Sequence, residues 1–349
     1  MANVAVSGSR TNMAVVKAGT WGTAVAASTT DKYIGELSWA LNESVLKARS
    51  QGSGLYMPLG FTRGAEKPTV SLTGDAHVHG VFGKVLAQFM GADSVSAEIT
   101  GSQGDYRHTI NQAAQSKYLS VAFDTSDTTV LEFPTCSTRS ITLSTPSVPG
   151  YLQFAAELVA DKVELSTAVN TNAVLAAATL GGTEILSPAF DDDFWIDTEA
   201  SGSLASGDQF DILSYSLQLN KPQESANEIK GVAGNGTPVE TDEMSGTLTI
   251  TVKELKNHSM FTYFSGETGL KCRFTVEGSQ IGTGVNRSLN VYIPRMQLIA
   301  APDYGITSPG KNPVTYTFAI SAAASAPTGM SYVYPYFELV NTLSTGYQA

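Results

Sequence analysis

The sequence predicts a mainly β protein with two tandem antiparallel β-sandwich or barrel domains, each with a short flanking helix and a long inter-strand loop. Short runs of alternating or β-branched residues recur between clusters of Gly, Ser, Pro and Asn. This pattern is typical of antiparallel strands. Apolar residues at helical spacing are scarce, and the strand candidates fall into two sets of similar order.

The strand candidates of the first set lie before residue 160, and those of the second set begin after residue 209. Successive side chains of a strand point to opposite faces, so alternating polarity predicts strands with one buried face. The first set comprises 33–41, 69–73, 118–123, 129–133, 140–143 and 151–159. The second set comprises 210–219, 246–252, 272–276, 289–293 and 313–320.

Two helices are predicted. Apolar pairs recur every three to four residues over 80–90, and Gly91 follows directly. Glycine is the usual residue just after a helix, so the first helix should end there. The second candidate is 253–264, whose apolar residues are fewer.

The two sets are related by an internal repeat. The run beginning at Leu37 matches the run beginning at Leu213, and Leu72 matches Leu248, both at a spacing of 176 residues. Shared order at a fixed spacing indicates a duplication. We therefore expect a first domain at 1–165, a linker at 166–189, a second domain at 190–323 and a C-terminal tail at 324–349.

Each repeat carries a long polar stretch between its first two strands, at 43–67 and 219–243. Loops of more than about 12–15 residues in a compact domain are usually functional or disordered. Their glycines predict flexibility, so we expect both loops to be largely disordered in a free subunit. Two such loops at equivalent places suggest the same task performed twice.

The composition excludes several classes of protein. The net charge is −11, which disfavours tight sequence-independent binding of nucleic acid. Only 15% of residues are charged, so we expect much of the surface to be covered by other subunits. The first residues lack the features of a secretory signal, and no apolar run approaches the ~20 residues of a membrane span. Cys136 and Cys272 are expected to be small buried side chains.

No motif predicts catalysis, a metal site or a cofactor. His77 and His79 would share a face of a strand, but no further ligand stands at recognisable spacing. The run 305–312 lacks the Ser or Thr of a phosphate loop, and the acidic run 191–193 lacks the remaining positions of a calcium loop. Paired glycosidase carboxylates stay open, because sequence spacing does not define them. We expect no enzymatic activity.

Charge is distributed unevenly. Between Val163 and Asn220 there is no Lys or Arg, whereas nine acidic residues lie there. The first long loop carries a net charge of +2 and the second a net charge of −3. Such charges ordinarily solvate a surface, but opposite signs also suit loops that meet across a subunit boundary.

In this order of elements the chain resembles the tail tube proteins of long, non-contractile-tailed bacteriophages. The run 13–23 before the first strand is similar to that family, as are 190–197 and 204–208 before the strand at Leu213. The duplication resembles the variant in which two fused tube domains let three subunits form a pseudo-hexamer.

The resemblance implies a structural subunit of stacked rings, trimeric or alternatively hexameric, around an acidic channel for the genome. It implies a place in the virion tail after assembly in the host cytoplasm. The implied partners are further copies of the chain and the tape-measure, tail-tip and tail-terminator proteins. Double-stranded DNA would pass without specific binding, and no membrane would be involved.

Two groups of residues are expected to serve these roles. The predicted acidic surface of the channel comprises Asp191, Asp192, Asp193 and Asp197. The predicted contacts between rings comprise Lys47, Arg49, Leu55, Tyr56, Met57, Arg63, Lys67, Lys221, Glu228 and Lys230. The alternative is a secreted or surface β-sandwich adhesin or carbohydrate-binding protein, which would share the β pattern and acidity. An enzyme on a β-sandwich is the third possibility.

Overall fold

The computed structural model describes residues 11–28, 30–42, 45–48, 60–63, 66–99, 104–114, 117–126, 129–145, 150–165, 168–182, 184–186, 193–225, 234–253, 259–301 and 313–348. The fold is mainly β, as predicted. Most strands belong to one connected antiparallel system, and two further pairs form small separate sheets.

The described residues of the first half of the chain form twelve strands and one helix. They are β1 (Met13–Ala18), β2 (Lys32–Tyr33), β3 (Glu36–Ala40), β4 (Val45–Ala48), β5 (Gly60–Arg63), β6 (Thr69–Asp75), α1 (Val81–Met90), β7 (Gly91–Val95), β8 (Tyr106–Gln112), β9 (Tyr118–Ser126), β10 (Thr129–Thr145), β11 (Gln153–Ala160) and β12 (Glu164–Leu165).

Within the part of the second half that the structure describes, there are two further helices, a short 3-10 helix at Ser206–Asp208 and nine strands. They are α2 (Asn172–Ala177), β13 (Phe194–Thr198), β14 (Ile212–Asn220), β15 (Gln223–Glu224), β16 (Val239–Glu240), β17 (Ser245–Val252), α3 (Ser259–Ser265), β18 (Leu270–Gly282), β19 (Val285–Leu298), β20 (Val314–Ser321) and β21 (Tyr336–Asn341).

The two halves pair their strands in the same order. In the first repeat, neighbouring strands are β3, β6, β11, β10, β9 and β1. In the second repeat, they are β14, β17, β20, β19, β18 and β13. Helix α1 follows β6, and α3 follows β17. The order of strands is thus the same in both repeats. The match of Leu37 with Leu213 is four residues out of the structural register, because Leu37 lies opposite Leu72, whereas Leu217 lies opposite Leu248.

The main core lies between the strands and α1. Nine of the ten residues of α1 are buried, among them Phe82, Leu86 and Phe89. The helix ends at Gly91, whose φ of 98° lies in the left-handed region that glycine adopts most easily. Both the predicted extent of this helix and its stop are confirmed.

The C-terminal residues belong to the folded body. Strand β21 pairs with β19 of the second repeat on one side and with β8 of the first repeat on the other. The expected tail at 324–349 therefore includes a strand that joins the two repeats. The expected linker also takes part, because Leu186 donates its N–H to the carbonyl of Ala76 at 3.1 Å.

Several predicted bounds differ from the structure. The separate strands at 129–133 and 140–143 are one strand, β10, which continues past Pro134 with its pairing to β9 shifted between Phe133 and Cys136. Of the helix predicted at 253–264, the described part is α3, which begins at Ser259. The strands with no predicted counterpart are β1, β4, β5, β7, β8, β12, β13, β15, β16 and β21.

Candidate functional site: strand edges within and between repeats

The two repeats join edge to edge. The second part of β10, from Ser140 to Thr145, pairs antiparallel with β14 from Asn220 to Tyr215. The side chains of Leu143 and Leu217 on either side of this joint are both about 1% exposed. The joint therefore combines backbone hydrogen bonds with burial of apolar side chains, each of which contributes about 1.5–3 kcal/mol.

Residues that follow β14 extend the joint across the first repeat. Lys221 donates its backbone N–H to the carbonyl of Arg139 at 2.8 Å. The hydroxyl of Ser137 donates to Oε1 of Gln223 at 2.6 Å. The Lys221 side chain is buried, with Nζ 5.7 Å from the ring centroid of Phe89 and 3.4 Å from Oε1 of Glu240. Burial lowers the pKa of the Lys221 amine, and Glu240 opposes that shift.

The far end of the second long loop also rests on the first repeat. Asn235 is fully buried and donates its backbone N–H to the carbonyl of Asp161 at 3.0 Å. Its side-chain amide donates to the carbonyl of Ala160 at 3.1 Å, and the indole of Trp21 donates to its carbonyl at 3.0 Å. The described ends of this loop are thus fixed inside the chain.

The first repeat leaves the equivalent strand edge open. Strand β3 corresponds to β14 and pairs with β6, but no described strand lies on its other side. Trp39 lies opposite Val70, and Leu219 lies opposite Gly246, which stands 176 residues after Val70, so Leu219 is the counterpart of Trp39. Trp39 is 41% exposed, whereas Leu219 is 1% exposed. This difference in exposure arises because β10 covers the edge of β14, whereas no described strand covers the edge of β3.

The second repeat leaves the complementary edge open. Strand β19 corresponds to β10, and β18 pairs with it only as far as Met296. Beyond that point, β20 lies on one side of β19, and no described strand lies on the other. Ile299, just after the strand, is 57% exposed. The described part of the chain thus has two open strand edges, one on β3 and one on β19. They are equivalent to the edges of β14 and β10 that pair in the internal joint.

The joint makes a continuous sheet of eight strands with one polar face. The order is β3, β6, β11, β10, β14, β17, β20 and β19. One face packs on the core, and the other carries mostly hydroxyl and amide side chains. One row across this polar face, in strand order, is Glu36, Thr73, Ala155, Thr142, Gln218, Thr247, Ala319 and Gln297.

The predicted inter-ring residues are only partly described. Both long loops contain a two-stranded hairpin, β4–β5 and β15–β16, so the expectation that they lack structure is too strong. Lys47 and Arg63 lie on the first hairpin, and Lys67 is exposed beside it. Lys221 is 3% exposed within its own chain, a position that does not suit an inter-ring contact. Arg49, Leu55, Tyr56, Met57, Glu228 and Lys230 lie outside the described residues.

The described residues of the predicted acidic channel lie at β13, which is not one of the eight strands of the continuous sheet. Asp193 and Asp197 are at this strand, which pairs with β18 and is bridged through Trp195 to Gln209, ahead of β14. The carbonyl of Asp193 accepts from the N–H of Thr275 at 3.0 Å, and the carboxylate of Asp197 accepts from the N–H of Thr198 at 2.7 Å. Asp191 and Asp192 lie outside the described residues.

Other kinds of site have little support in the described part of the chain. The described residues contain no cluster of three or more His, Cys, Asp or Glu side chains that could hold a metal ion. Burial raises the thiol pKa of both Cys136 and Cys272, which disfavours a reactive thiolate. None of the described helices has the length and apolar character needed to cross a bilayer.

Sequence comparisons add no family assignment. No model of a known protein family matches the chain, and no curated protein matches it. The strand edges and the polar sheet face are therefore the features on which a function can be argued.

Proposed function

We propose that this chain is the structural subunit of a phage tail tube. Three copies would close into a ring of six similar repeats, and the rings would stack around a channel for the genome. The subunit would act in the virion tail after assembly in the host cytoplasm. Its main partner would be further copies of itself, together with the tape-measure, tail-tip and tail-terminator proteins, and it would have no catalytic role.

The observation that carries this proposal is the match between the internal joint and the open edges. Within the chain, β10 of one repeat pairs with β14 of the other. Strands β19 and β3 correspond to these two and are open on the corresponding sides. Exposed strand edges favour pairing with another chain. A head-to-tail contact of this type repeats from copy to copy and closes when the rotation allows it.

The register of the contact between copies follows from the joint. Thr142 of β10 lies opposite Gln218 of β14, and Gln218 lies opposite Thr247 of β17. Ser71 stands 176 residues before Thr247 and lies opposite Ser38 of β3, so Ser38 is the counterpart of Gln218. Position 38 of one copy should therefore lie opposite the counterpart of Thr142 in the next copy.

That counterpart is Ile299. Thr142 lies opposite Ala155, and Ala155 lies opposite Thr73. The residue 176 positions after Thr73 is Thr249, which lies opposite Thr317, and Ile299 donates its N–H to the carbonyl of Thr317. The joint thus predicts that Ser38 of one copy lies across from Ile299 of its neighbour.

The polar sheet face is the surface that we assign to the channel. Its Ser, Thr and Gln side chains offer little positive charge with which to hold phosphates by counterion release. A hydroxyl lining would let the DNA backbone pass and exchange hydrogen bonds with water. This assignment replaces the acidic lining expected from the sequence, because Asp193 and Asp197 lie on a different part of the sheet.

A cysteine pair tests the contact. Ser38→Cys and Ile299→Cys together should give disulfide-linked oligomers under mild oxidation, because opposed strand residues are close enough to bridge. The matched control is Ile34→Cys with Ile299→Cys, which is four residues out of register. Cys136 and Cys272 are buried and should not compete. Equal cross-linking of both pairs, or none of the first, contradicts the proposed contact.

The mass of isolated rings tests the copy number. A three-copy ring is the expected result, whereas a six-copy ring would mean that the repeats do not share one ring as proposed. Compact monomers at every concentration, together with no tubes in electron micrographs, would favour the adhesin alternative.

A further inference from the structure

The last residues of the chain lie across the first repeat. The backbone N–H of Tyr347 bonds to the carboxylate of Asp93, and its hydroxyl donates to the carbonyl of Val78 at 2.8 Å. The side-chain amide of Gln348 donates to the carbonyl of Ala87 in α1. Residues 342–348 therefore form a strap over α1, and we use that name for them below.

His79 holds the start of the strap through one ring nitrogen. Its Nε2 lies 3.1 Å from the backbone nitrogen of Thr342 and 2.8 Å from the hydroxyl of the same residue. A backbone N–H can only donate. Nε2 must therefore be the unprotonated acceptor, and the proton of the neutral ring is on Nδ1.

Charged groups from three other parts of the fold surround His79. Nδ1 lies 3.5 Å from Oε2 of Glu184, whose other oxygen lies 3.4 Å from Nη2 of Arg287. His108 on β8 also faces the ring, while residues 341–346 carry no ionisable side chain. Burial is the main cause that lowers the pKa of His79, and the attraction of Glu184 opposes it.

A second histidine holds the strap differently. His108 is fully buried, and its Nε2 lies 3.0 Å from the carbonyl oxygen of Leu343. A carbonyl can only accept, so this nitrogen donates. Protonation of His108 at its other nitrogen leaves that bond in place, whereas protonation of His79 removes the acceptor that Thr342 needs.

We propose that His79 is an acid-sensitive latch: a proton on Nε2 places two N–H groups against each other and releases the strap from the first repeat. The remaining strands stay paired, because β21 ends at Asn341, before the strap. The latch does not depend on the proposed function, since it concerns contacts inside one chain.

The direction of the pH effect follows from linkage. The released His79 titrates near its ordinary pKa of 6.5, and in the latched state its pKa is lower. The latch is fully effective above the ordinary pKa and weakens as the pH falls towards the lowered value. Between the lowered and the ordinary pKa, the released state binds one proton more than the latched state. The protection of the strap from hydrogen exchange therefore falls about tenfold for each unit by which the pH decreases. Ordinary carboxylates titrate below this interval, near pH ~4.

Hydrogen exchange on the full chain tests the latch. The amides of Thr342 and Tyr347 should lose protection as the pH falls below 6.5, after correction for intrinsic exchange rates. His79→Gln keeps an acceptor oxygen but cannot titrate, so its strap should show constant protection across the same range. His77→Gln is the matched control, two residues away, and should keep the loss seen in the native chain. Constant protection in the native chain overturns the proposal, as does the same pH-dependent loss in His79→Gln.

A second measurement covers the case in which His79→Gln does not fold. Carboxypeptidase digestion of the native chain removes released C-terminal residues. The fraction shortened into the strap should rise as the pH falls, while far-ultraviolet circular dichroism stays unchanged. The rates are corrected for the pH dependence of the carboxypeptidase itself. A shortened fraction that does not change with pH after this correction contradicts the latch.

Discussion

At the scale of single residues, close packing explains a glycine inside a helix. Gly83 lies within α1, where glycine is less favourable than alanine by about 1 kcal/mol. A Cβ at this position would overlap the ring of Tyr347. That ring is buried, and its hydroxyl bonds to both Val78 and Asn341, so it has little freedom to move. The glycine thus makes room for the strap.

Gly83→Ala should therefore lower the free energy of unfolding, by about 1–3 kcal/mol for overpacking, partly offset by helix propensity. In a Tyr347→Ala background the overlap is gone, and the same change should stabilise the protein by up to about 1 kcal/mol. Chemical denaturation of the four variants of this cycle measures both values. The same sign in both backgrounds would show that Tyr347 does not explain the glycine.

Lys221 gives a second prediction at this scale. Its buried amine has a lowered pKa, so the unfolded chain binds the proton more tightly and stability rises with pH between the lowered value and 10.5. Lys221→Met should abolish that rise and leave stability at neutral pH equal or higher by about 1 kcal/mol, because burying the charge is unfavourable. Denaturation at several pH values measures it, with Lys67→Met at an exposed position as control. A large loss of stability in Lys221→Met would mean that its ion pair with Glu240 dominates.

At the scale of elements, much of the strand pattern could be predicted, because half-buried strands alternate in polarity. Strand β17 and helix α1 are found close to their predicted bounds. The failures have physical causes. Two strands were predicted at 129–133 and 140–143, but β10 is continuous through Pro134, where its pairing with β9 shifts. Strand β21 was missed because five of its six residues are buried, which leaves no alternation to detect.

The joint itself could not be predicted as an internal contact. The sequence indicated the repeat and two loops of equal length, but not which edges would meet within the chain. The surroundings of the acidic residues could not be predicted either. Trp195 of β13 is bridged to Gln209, which brings the segment with Asp208 beside the strand that carries Asp197.

The open edge of β3 gives the prediction at this scale. Trp39→Lys should leave the subunit folded, with a loss of about 1 kcal/mol from its edge-to-face contact with Phe133. A lysine on an edge strand opposes pairing with another chain. Association should therefore weaken markedly, as measured by sedimentation. Ile34→Lys, which is exposed but precedes the strand, is the control. Equal association of both variants would exclude β3 from the interface.

At the scale of the whole molecule, the repeats share too many elements to unfold separately. The β10–β14 joint, the strand β21 and the contacts of Leu186 and Asn235 each connect them. We expect one cooperative thermal transition, with equal calorimetric and van't Hoff enthalpies. Scanning calorimetry of the monomeric chain measures this. Two resolved transitions would show that the repeats are independent domains, and the matching control is the same scan of Trp39→Lys.

The hairpin β7–β8 belongs to the first repeat alone, since the second passes from α3 to β18 through residues 266–269. Strand β21, which bridges to it, likewise has no second copy among the described residues. In a ring of three chains, the equivalent inner strands would recur six times around the axis, whereas these outer elements would recur three times. In the proposed ring, the fusion would therefore present a nearly sixfold surface to what passes within and a threefold surface to what binds outside.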